Sequence, residues 1–242
     1  RPKNWRRHRR SLKYILTVVL KFSIICLNKK GTIMTVSEMF VPETKQARQK
    51  NTLIVREVAA GVGSNQDLKD LEKKILGYIE RNGLNESVAQ IKDEIVENRL
   101  FAACFAKDPS KQNIAERIQL RELKPHGVEK LPNTGPNALY LIDGKIQPPP
   151  AIKGIHKSID ATYGDRYVTL KYTKVRGGTQ DNQKNDVINF VKNSGDHKVA
   201  AITDGPYYQT DAIQKELAQY KSDRVFIGTT DEFIKEKRAG TI

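Results

Sequence analysis

Cysteine is scarce in this sequence, with Cys26 and Cys104 alone among 242 residues. Two cysteines cannot build a disulfide framework, so we expect a reducing, cytoplasmic setting. Long apolar runs are also lacking, because Lys21 separates the apolar stretches at 14–20 and 22–27. Each stretch falls short of the roughly 20 residues that a membrane-spanning helix needs. We therefore expect no stable membrane association.

Acidic residues are absent from residues 1–33, the basic leader, which holds ten Lys or Arg residues. Of the chain's net charge of +14, the leader carries ten and the remainder +4, so total charge alone does not predict nucleic-acid binding. Three interpretations of the leader stay open: translation from upstream of a natural start at Met34, a genuine basic arm, or a membrane or export signal. The first is favoured, because residues 29–34 back-translate to a purine-rich ribosome-binding site before an ATG codon.

Apolar periodicity predicts an α/β chain with mainly helical residues before about residue 125 and a mixed sheet after it. We expect a mainly helical N-terminal region at 34–107 and a core domain at 108–242. Residues 35–65 are mixed and polar and end in a loop and a helix N-cap. Helical stripes follow at 66–82, 88–96, 100–106 and 111–123. Beyond residue 125 the pattern predicts strands at 137–142, 145–147, 167–173, 199–203 and 224–227, and helices at 180–192, 211–219 and 230–237.

One predicted strand places a lysine near a carboxylate. Alternate side chains of residues 166–172 face opposite sides, so Thr169 and Lys171 share a face. Asp160 precedes this strand and is separated from Lys171 by a turn. A carboxylate and a lysine on adjacent strands are typical of Mg²⁺-dependent nucleases, in which the acid holds the metal and the lysine orients or deprotonates the attacking water. A solvated strand lysine without a catalytic role is the alternative.

Three further polar residues fall on predicted helices. Gln180 and Gln183 extend the apolar stripe of their helix to its N-terminal end, where free N–H groups suit a phosphate. The alternative is that both glutamines only cap the helix. Glu116 lies on a helix that is apolar on both sides, so we expect it to be partly buried and to need a metal or a lysine. A surface ion pair is the alternative for Glu116.

Several short segments, taken in order, resemble a known family. They are 111–116 (KQNIAE), 131–141 (LPNTGPNALYL), 157–160 (KSID), 171–174 (KYTK), 177–183 (GGTQDNQ) and 202–208 (ITDGPYY). This series is similar to that of type II restriction endonucleases of the PD-(D/E)xK superfamily, over residues 108–210. The resemblance implies an α/β fold with a restriction-endonuclease-like core, a mixed sheet flanked by helices, after a mainly helical N-terminal part.

The same resemblance implies Mg²⁺-dependent hydrolysis of duplex DNA that leaves 5′-phosphates. It makes Asp160 the metal-binding acid of the motif and Lys171 its lysine. Glu116 corresponds to the acid that many members place on the first core helix. Gln180 and Gln183 correspond to the polar entry of the helix after the lysine.

One position departs from the family pattern. The acid expected two residues before the lysine is Thr169 here, and a hydroxyl is a poor Mg²⁺ ligand compared with a carboxylate. We expect Glu116 to supply the second metal ligand, with Asp181 as the next candidate. If neither approaches Asp160, a relative that only binds nucleic acid is favoured.

The sequence therefore predicts a site-specific type II deoxyribonuclease that acts on double-stranded DNA. By analogy we expect a homodimer and, as a genetic partner in a restriction–modification system, a cognate DNA methyltransferase. Two alternatives stay open: a repair or phage nuclease without strict site specificity, and a non-catalytic nucleic-acid-binding protein.

Overall fold

The computed structural model describes residues 34–150, 158–174 and 178–242, without the side chains of residues 110, 111 and 178–180. The basic leader lies outside these ranges. Within them, no helix combines the length and the apolar character that crossing a membrane requires.

The 24-residue helix α1 (Val36–Ala59) occupies most of the segment that the sequence analysis left as mixed and polar, which corrects that interpretation. Thr35 begins the helix with a capping box. Its hydroxyl accepts a hydrogen bond from the backbone N–H of Glu38, whose carboxylate accepts one from the backbone N–H of Thr35. Pro42 lies inside α1, although proline has no backbone N–H to donate. Because of Pro42 and the polar composition, the sequence pattern of this segment does not indicate a helix.

Three shorter helices pack against α1: α2 (Asn65–Asn82), α3 (Val88–Glu97) and α4 (Arg99–Phe105). Their bounds confirm the three predicted stripes within two residues. Gly83 ends α2 in the left-handed conformation, at φ 60°. The buried residues between these helices form what we call the helical cluster: Val55, Val58, Leu71, Ile75, Ile91, Ile95, Ala102 and Phe105.

The helix predicted at 111–123 is divided in two. A 3₁₀ helix (Pro109–Gln112) precedes α5 (Ile114–Leu123), and Asn113 between them has a φ of 50°. Asparagine is one of the few residues other than glycine that tolerates this left-handed conformation. A second 3₁₀ turn (Lys124–His126) follows α5 and leads into the first strand.

Five strands form a mixed sheet in the order β1-β4-β5-β6-β7, in which β1, β4 and β5 are antiparallel and β5, β6 and β7 are parallel. The remaining two strands form a separate hairpin through the predicted turn at Asp143-Gly144. The bounds are β1 (Val128–Lys130), β2 (Tyr140–Ile142), β3 (Lys145–Gln147), β4 (Ala161–Tyr163), β5 (Arg166–Tyr172), β6 (Lys198–Asp204) and β7 (Val225–Gly228).

The two neighbours of β5 differ in length. Strand β6 pairs with all of β5, whereas β4 pairs only with residues 166–168. Among the described strands, residues 169–172 therefore have a neighbour on the β6 side alone. Helices α1 and α5 pack near this end of the sheet, where Tyr172 contacts the apolar cluster of Val36, Met39, Ile114 and Ile118.

Helices cover both faces of the sheet. Helices α6 (Gly178–Lys192) and α7 (Asp211–Ala218) pack on one face, and α5 and α8 (Thr230–Ala239) pack on the other. Neighbouring residues of β6 alternate between the two apolar clusters, with Ala200 in one and Ala201 in the other. The predicted α/β class, a mixed sheet flanked by helices, is confirmed.

Candidate functional site

Asp160 lies immediately before β4, and its backbone joins the two strands on either side. Its N–H donates to the Val168 carbonyl at 3.0 Å, and its carbonyl accepts from Leu131 N–H at 3.0 Å. The carboxylate oxygen Oδ2 accepts two hydrogen bonds, from Leu170 N–H at 2.8 Å and from Thr169 Oγ1 at 3.0 Å. Thr169, the residue that departs from the family pattern, therefore orients the carboxylate.

Two of the other charged residues of the predicted site, Lys171 and Glu116, lie near Asp160. Burial raises the pKa of Asp160, while the Lys171 ammonium and the two hydrogen bonds to Oδ2 lower it. The Glu116 carboxylate raises it further, because two nearby negative charges repel each other. The balance is a pKa above the ordinary value for aspartate. Asp160, Lys171 and Glu116 therefore lie within electrostatic reach of one another.

Glu116 lies in the first turn of α5 and is paired with a lysine. Lys130 of β1 donates from Nζ to Glu116 Oε1 at 3.0 Å. The Glu116 side chain is 17% exposed and that of Lys130 52%. Glu116 is therefore partly buried and has a lysine partner, and because Lys130 is half exposed this contact also fits the surface ion pair that was the alternative for Glu116.

A cleft of about 600 Å³ connects these residues with the N-terminal region. Glu116 and Gln119 of α5 line it, as do Lys171 and Tyr172 at the end of β5. Asp160 is not part of the lining, but its Oδ2 accepts a hydrogen bond from Leu170, which does line the cleft. The other lining residues are Phe40, Thr44, Arg48, Asp108, Pro109, Asn113, Ile114, Ala115, Leu170, Lys174, Gln183 and Asp186.

The two predicted glutamines have different outcomes. Gln183 lines the cleft, and its Oε1 accepts a hydrogen bond from Thr173 Oγ1 at 2.6 Å. It is therefore held at the end of the strand that carries Lys171. Gln180 belongs to α6, but its side chain lies outside the described residues.

Asp181 lies apart from the other predicted ligands. Its Oδ1 accepts a hydrogen bond from the Tyr207 hydroxyl at 2.7 Å. It lines a different cavity, of about 460 Å³, together with Lys184, Thr210 and Glu216. The structure therefore favours Glu116 over Asp181 as the second carboxylate beside Asp160.

A buried network behind Lys171 was not predicted from the sequence. The fully buried Gln119 donates from Nε2 to Asp204 Oδ2 at 2.8 Å and to the Lys171 carbonyl at 3.1 Å. Thr230 donates to the same aspartate from its N–H and its hydroxyl. Burial raises the pKa of Asp204, although the hydrogen bonds from Thr230 and Gln119 lower it. The one available signal was the Asp204-Gly205 pair at the end of a strand.

Sequence reasoning also missed the contribution of α1 to the cleft. Phe40, Thr44 and Arg48 all line it, at intervals of four residues. Side chains at this spacing share one face of a helix, so the signal exists only once the segment is known to be helical. Thr44 Oγ1 is buried and has no hydrogen-bond partner among the described residues.

Comparison of the chain with models of protein families, with curated proteins and with solved structures finds no match. Within the described ranges, no group of three or more His, Cys, Asp or Glu side chains is placed to hold a metal ion.

Proposed function

We propose that this protein is a Mg²⁺-dependent endonuclease of the type II restriction class, which hydrolyses phosphodiester bonds of duplex DNA at a specific short sequence. The observation that carries the proposal is the grouping of Asp160, Glu116 and Lys171 at one end of β5, beside a polar cleft. A buried carboxyl with a raised pKa close to a lysine and a second carboxylate is a typical feature of functional sites.

The order of the elements supports the same proposal. Helix α5, the antiparallel strands β1, β4 and β5, helix α6 and the parallel strand β6 follow one another in the αβββαβ order that the resemblance implies. The hairpin β2–β3 is inserted between the first and second of these strands. Asp160 thus directly precedes the second of these strands and Lys171 lies in the third, so a carboxylate and a lysine are placed on adjacent strands, as the resemblance implies.

The residues present are suited to Mg²⁺, which takes oxygen ligands and is usually held by one or two carboxylates plus substrate phosphates and water. Both hydrogen bonds to the Asp160 carboxylate go to Oδ2, and Lys130 contacts Oε1 of Glu116. Asp160 and Glu116 would hold the ion through their remaining oxygens. When bound, Mg²⁺ would neutralise charge on a phosphate oxygen and lower the pKa of a water molecule.

The protein's own side chains have distinct tasks in this proposal. Thr169 fixes the rotamer of Asp160, so the carboxylate is oriented before the substrate arrives. Lys171 places its ammonium at the cleft, where it can orient the attacking water and offset the charge that develops on the phosphate. Gln183, held by Thr173, offers its amide N–H groups to the same phosphate.

Double-stranded DNA as substrate, a homodimer that cuts both strands, and a methyltransferase that protects the host site all follow from the proposed class. The residues that read base edges are not assigned, because such residues come from loops and insertions that vary between enzymes.

The proposal is tested by incubating the full chain with plasmid DNA of known sequence, in Mg²⁺ and in EDTA. We expect discrete fragments in Mg²⁺ alone. A smear would overturn the site-specific part of the proposal, and intact plasmid despite DNA binding would overturn hydrolysis.

Two variants connect cleavage with the site. We expect Asp160→Asn and Lys171→Ala each to slow cleavage at least about 100-fold while DNA binding remains, which is the usual scale for an acid–base or metal-binding group. The exposed Lys221→Ala is the control and should cut as the parent does. Unchanged cleavage by either variant would remove that residue from the site.

A further inference from the structure

One wall of the cleft beside Lys171 is formed by helix α1, which carries none of the proposed catalytic residues. Helix α1 contributes Phe40, Thr44 and Arg48, one from each of three successive turns. These residues precede residue 108, where the resemblance to restriction endonucleases begins. The N-terminal region therefore forms part of the substrate cleft.

Helix α1 is fixed against the sheet rather than loosely placed over it. Glu43 pairs with Arg121 of α5 at 2.6 Å, and Arg121 also contacts the Met39 sulfur at 3.1 Å. Val36 and Met39 are buried against Ile114 and Ile118 of α5. The distance between α1 and the end of β5 is therefore set by packed side chains.

An aromatic pair joins the two walls. The Phe40 ring of α1 lies 4.4 Å from the Tyr172 ring of β5, with 31° between their planes. Both residues are partly buried and both line the cleft. Aromatic side chains in a polar, cation-bearing groove are the usual platform on which an unpaired base stacks.

Polar groups suited to a phosphate surround this aromatic pair. Arg48 and Lys174 are exposed, line the cleft and form no ion pair with any described residue. Thr44 Oγ1 is buried in the cleft wall without a partner among the described residues, which is unusual for a hydroxyl unless a ligand completes it. Asp108 and Asp186 also line the cleft, and each is engaged in interactions of its own.

The size of the cleft limits what enters it. Pockets of roughly 300–1,000 Å³ hold one drug-sized molecule, and at about 600 Å³ this cleft matches one or two nucleotides. A base-paired duplex, with two stacked strands, is larger than a space of this volume holds.

We infer that the cleft binds one DNA strand separated from its complement, with a base stacked on Phe40 and a phosphate held by Arg48 and the Thr44 hydroxyl. The inference rests on the proposed function and specifies its substrate: base pairs open at the scissile position so that a single strand reaches Lys171.

The test compares two otherwise identical labelled duplexes, one fully paired and one with a central bubble of mismatches, by fluorescence anisotropy in EDTA. We expect the full chain to bind the bubble about tenfold more tightly, as one stacked base provides on this scale. Equal affinity, tighter binding of the paired duplex, or no binding of either would overturn the inference.

Variants of α1 test whether the preference for the bubble duplex depends on residues that line the cleft. We expect Phe40→Ala, Thr44→Val and Arg48→Ala each to reduce the preference for the bubble several-fold. An abasic site in place of the base that stacks on Phe40 should weaken the binding of the oligonucleotide to the parent protein. It should not weaken binding to the Phe40→Ala variant. Lys50→Ala is the matched control, since Lys50 is an exposed cation on α1 outside the cleft.

The remaining outcomes separate the two proposals. If Phe40→Ala does not fold, Thr44→Val and Arg48→Ala carry the test, because neither changes an aromatic contact. If all three variants bind as the Lys50→Ala control does, the strand binds elsewhere and the inference is wrong. If the bubble preference is present but Mg²⁺ produces no cleavage, the proposed hydrolase is wrong and the strand-binding cleft stands.

Discussion

Two features of the Asp160 environment have opposite effects on the charge of its carboxyl group. As an acceptor from Leu170 N–H and Thr169 Oγ1 it is favoured as an anion, yet its burial makes that anion costly. Burial prevails, because the pKa of Asp160 lies above its ordinary value. The side chain is therefore oriented for a cation while its buried charge destabilises the fold.

This conflict predicts a dependence of stability on pH. A carboxyl whose pKa is higher in the folded state binds its proton more tightly there than in the unfolded chain. Its contribution to the free energy of unfolding is therefore greatest at low pH and declines as the pH rises through the raised pKa. Asp160→Asn keeps an oxygen acceptor and removes the charge.

We expect Asp160→Asn to gain stability relative to the parent as the pH increases from about 4 to about 7, in metal-free buffer, while cleavage is lost. Thermal unfolding at several pH values measures the difference. A difference that stays constant across this range, or that shifts toward the parent at higher pH, would contradict the raised pKa.

The positions of the candidate residues were predictable from local sequence patterns, whereas their catalytic and metal-binding roles stay predictions. Asp160 and Lys171 are identified by their positions around one turn, and Glu116 by its place on a helix that is apolar on both sides. The role of Thr169 was not predictable, because its hydrogen bond to Asp160 crosses between strands. Gln119 was missed for a similar reason, since its partners Asp204 and Lys171 are distant along the chain.

At the scale of elements, α1 shows how a helix can be missed. Its first turn contains the pattern Thr35-x-x-Glu38, a capping box that was available in the sequence. Pro42 and the charged residues that follow it obscure the apolar periodicity of the helix. Since Phe40, Thr44 and Arg48 belong to this helix, overlooking it also concealed one wall of the cleft.

The turn after β6 offers a direct test of how elements meet at the site. Gly205 has a φ of 102°, and a Cβ there would lie 2.3 Å from the Thr173 carbonyl oxygen. We expect Gly205→Ala to lower the free energy of unfolding by about 3 kcal/mol, because left-handed strain and a backbone clash add together. Urea denaturation measures the loss.

Gly164→Ala is the matched control for this turn. Gly164 has a φ of 55° in the β4–β5 turn, and a Cβ added there would have no described atom within 4 Å. The variant should lose only about 1–2 kcal/mol, the cost of the backbone conformation alone. Equal losses in the two variants would show that contact with Thr173 contributes nothing.

At the scale of the whole molecule, the apolar interior is divided. The helical cluster of α1 to α4 is separate from the two clusters on the faces of the sheet. Helical stripes predicted α2 to α4 because each stripe is local in sequence. The order of the five strands was not predictable from periodicity, since parallel pairing joins segments that a helix separates.

This division predicts local effects of core mutations. Ile95 is fully buried in the helical cluster, and we expect Ile95→Ala to lower the free energy of unfolding by about 2–5 kcal/mol. Hydrogen exchange followed by mass spectrometry should become faster within residues 65–105 and remain unchanged in β5 and β6.

Ile202→Ala is the counterpart in the sheet, where Ile202 is also fully buried. It should accelerate exchange in β5 and β6. Uniform acceleration across the described chain in both variants would mean that the molecule unfolds as a single cooperative unit.

The unequal lengths of β4 and β6 create a fork in the sheet, and the proposed active site occupies it. Leu170 N–H meets a carboxylate at the position where a longer β4 would offer a carbonyl. If β4 were two residues longer, it would pair with β5 beyond Val168 and occupy the space beside Leu170 and Lys171. A longer β4 would therefore compete with Asp160 for the Leu170 N–H, and it would change the proposed site through the backbone alone.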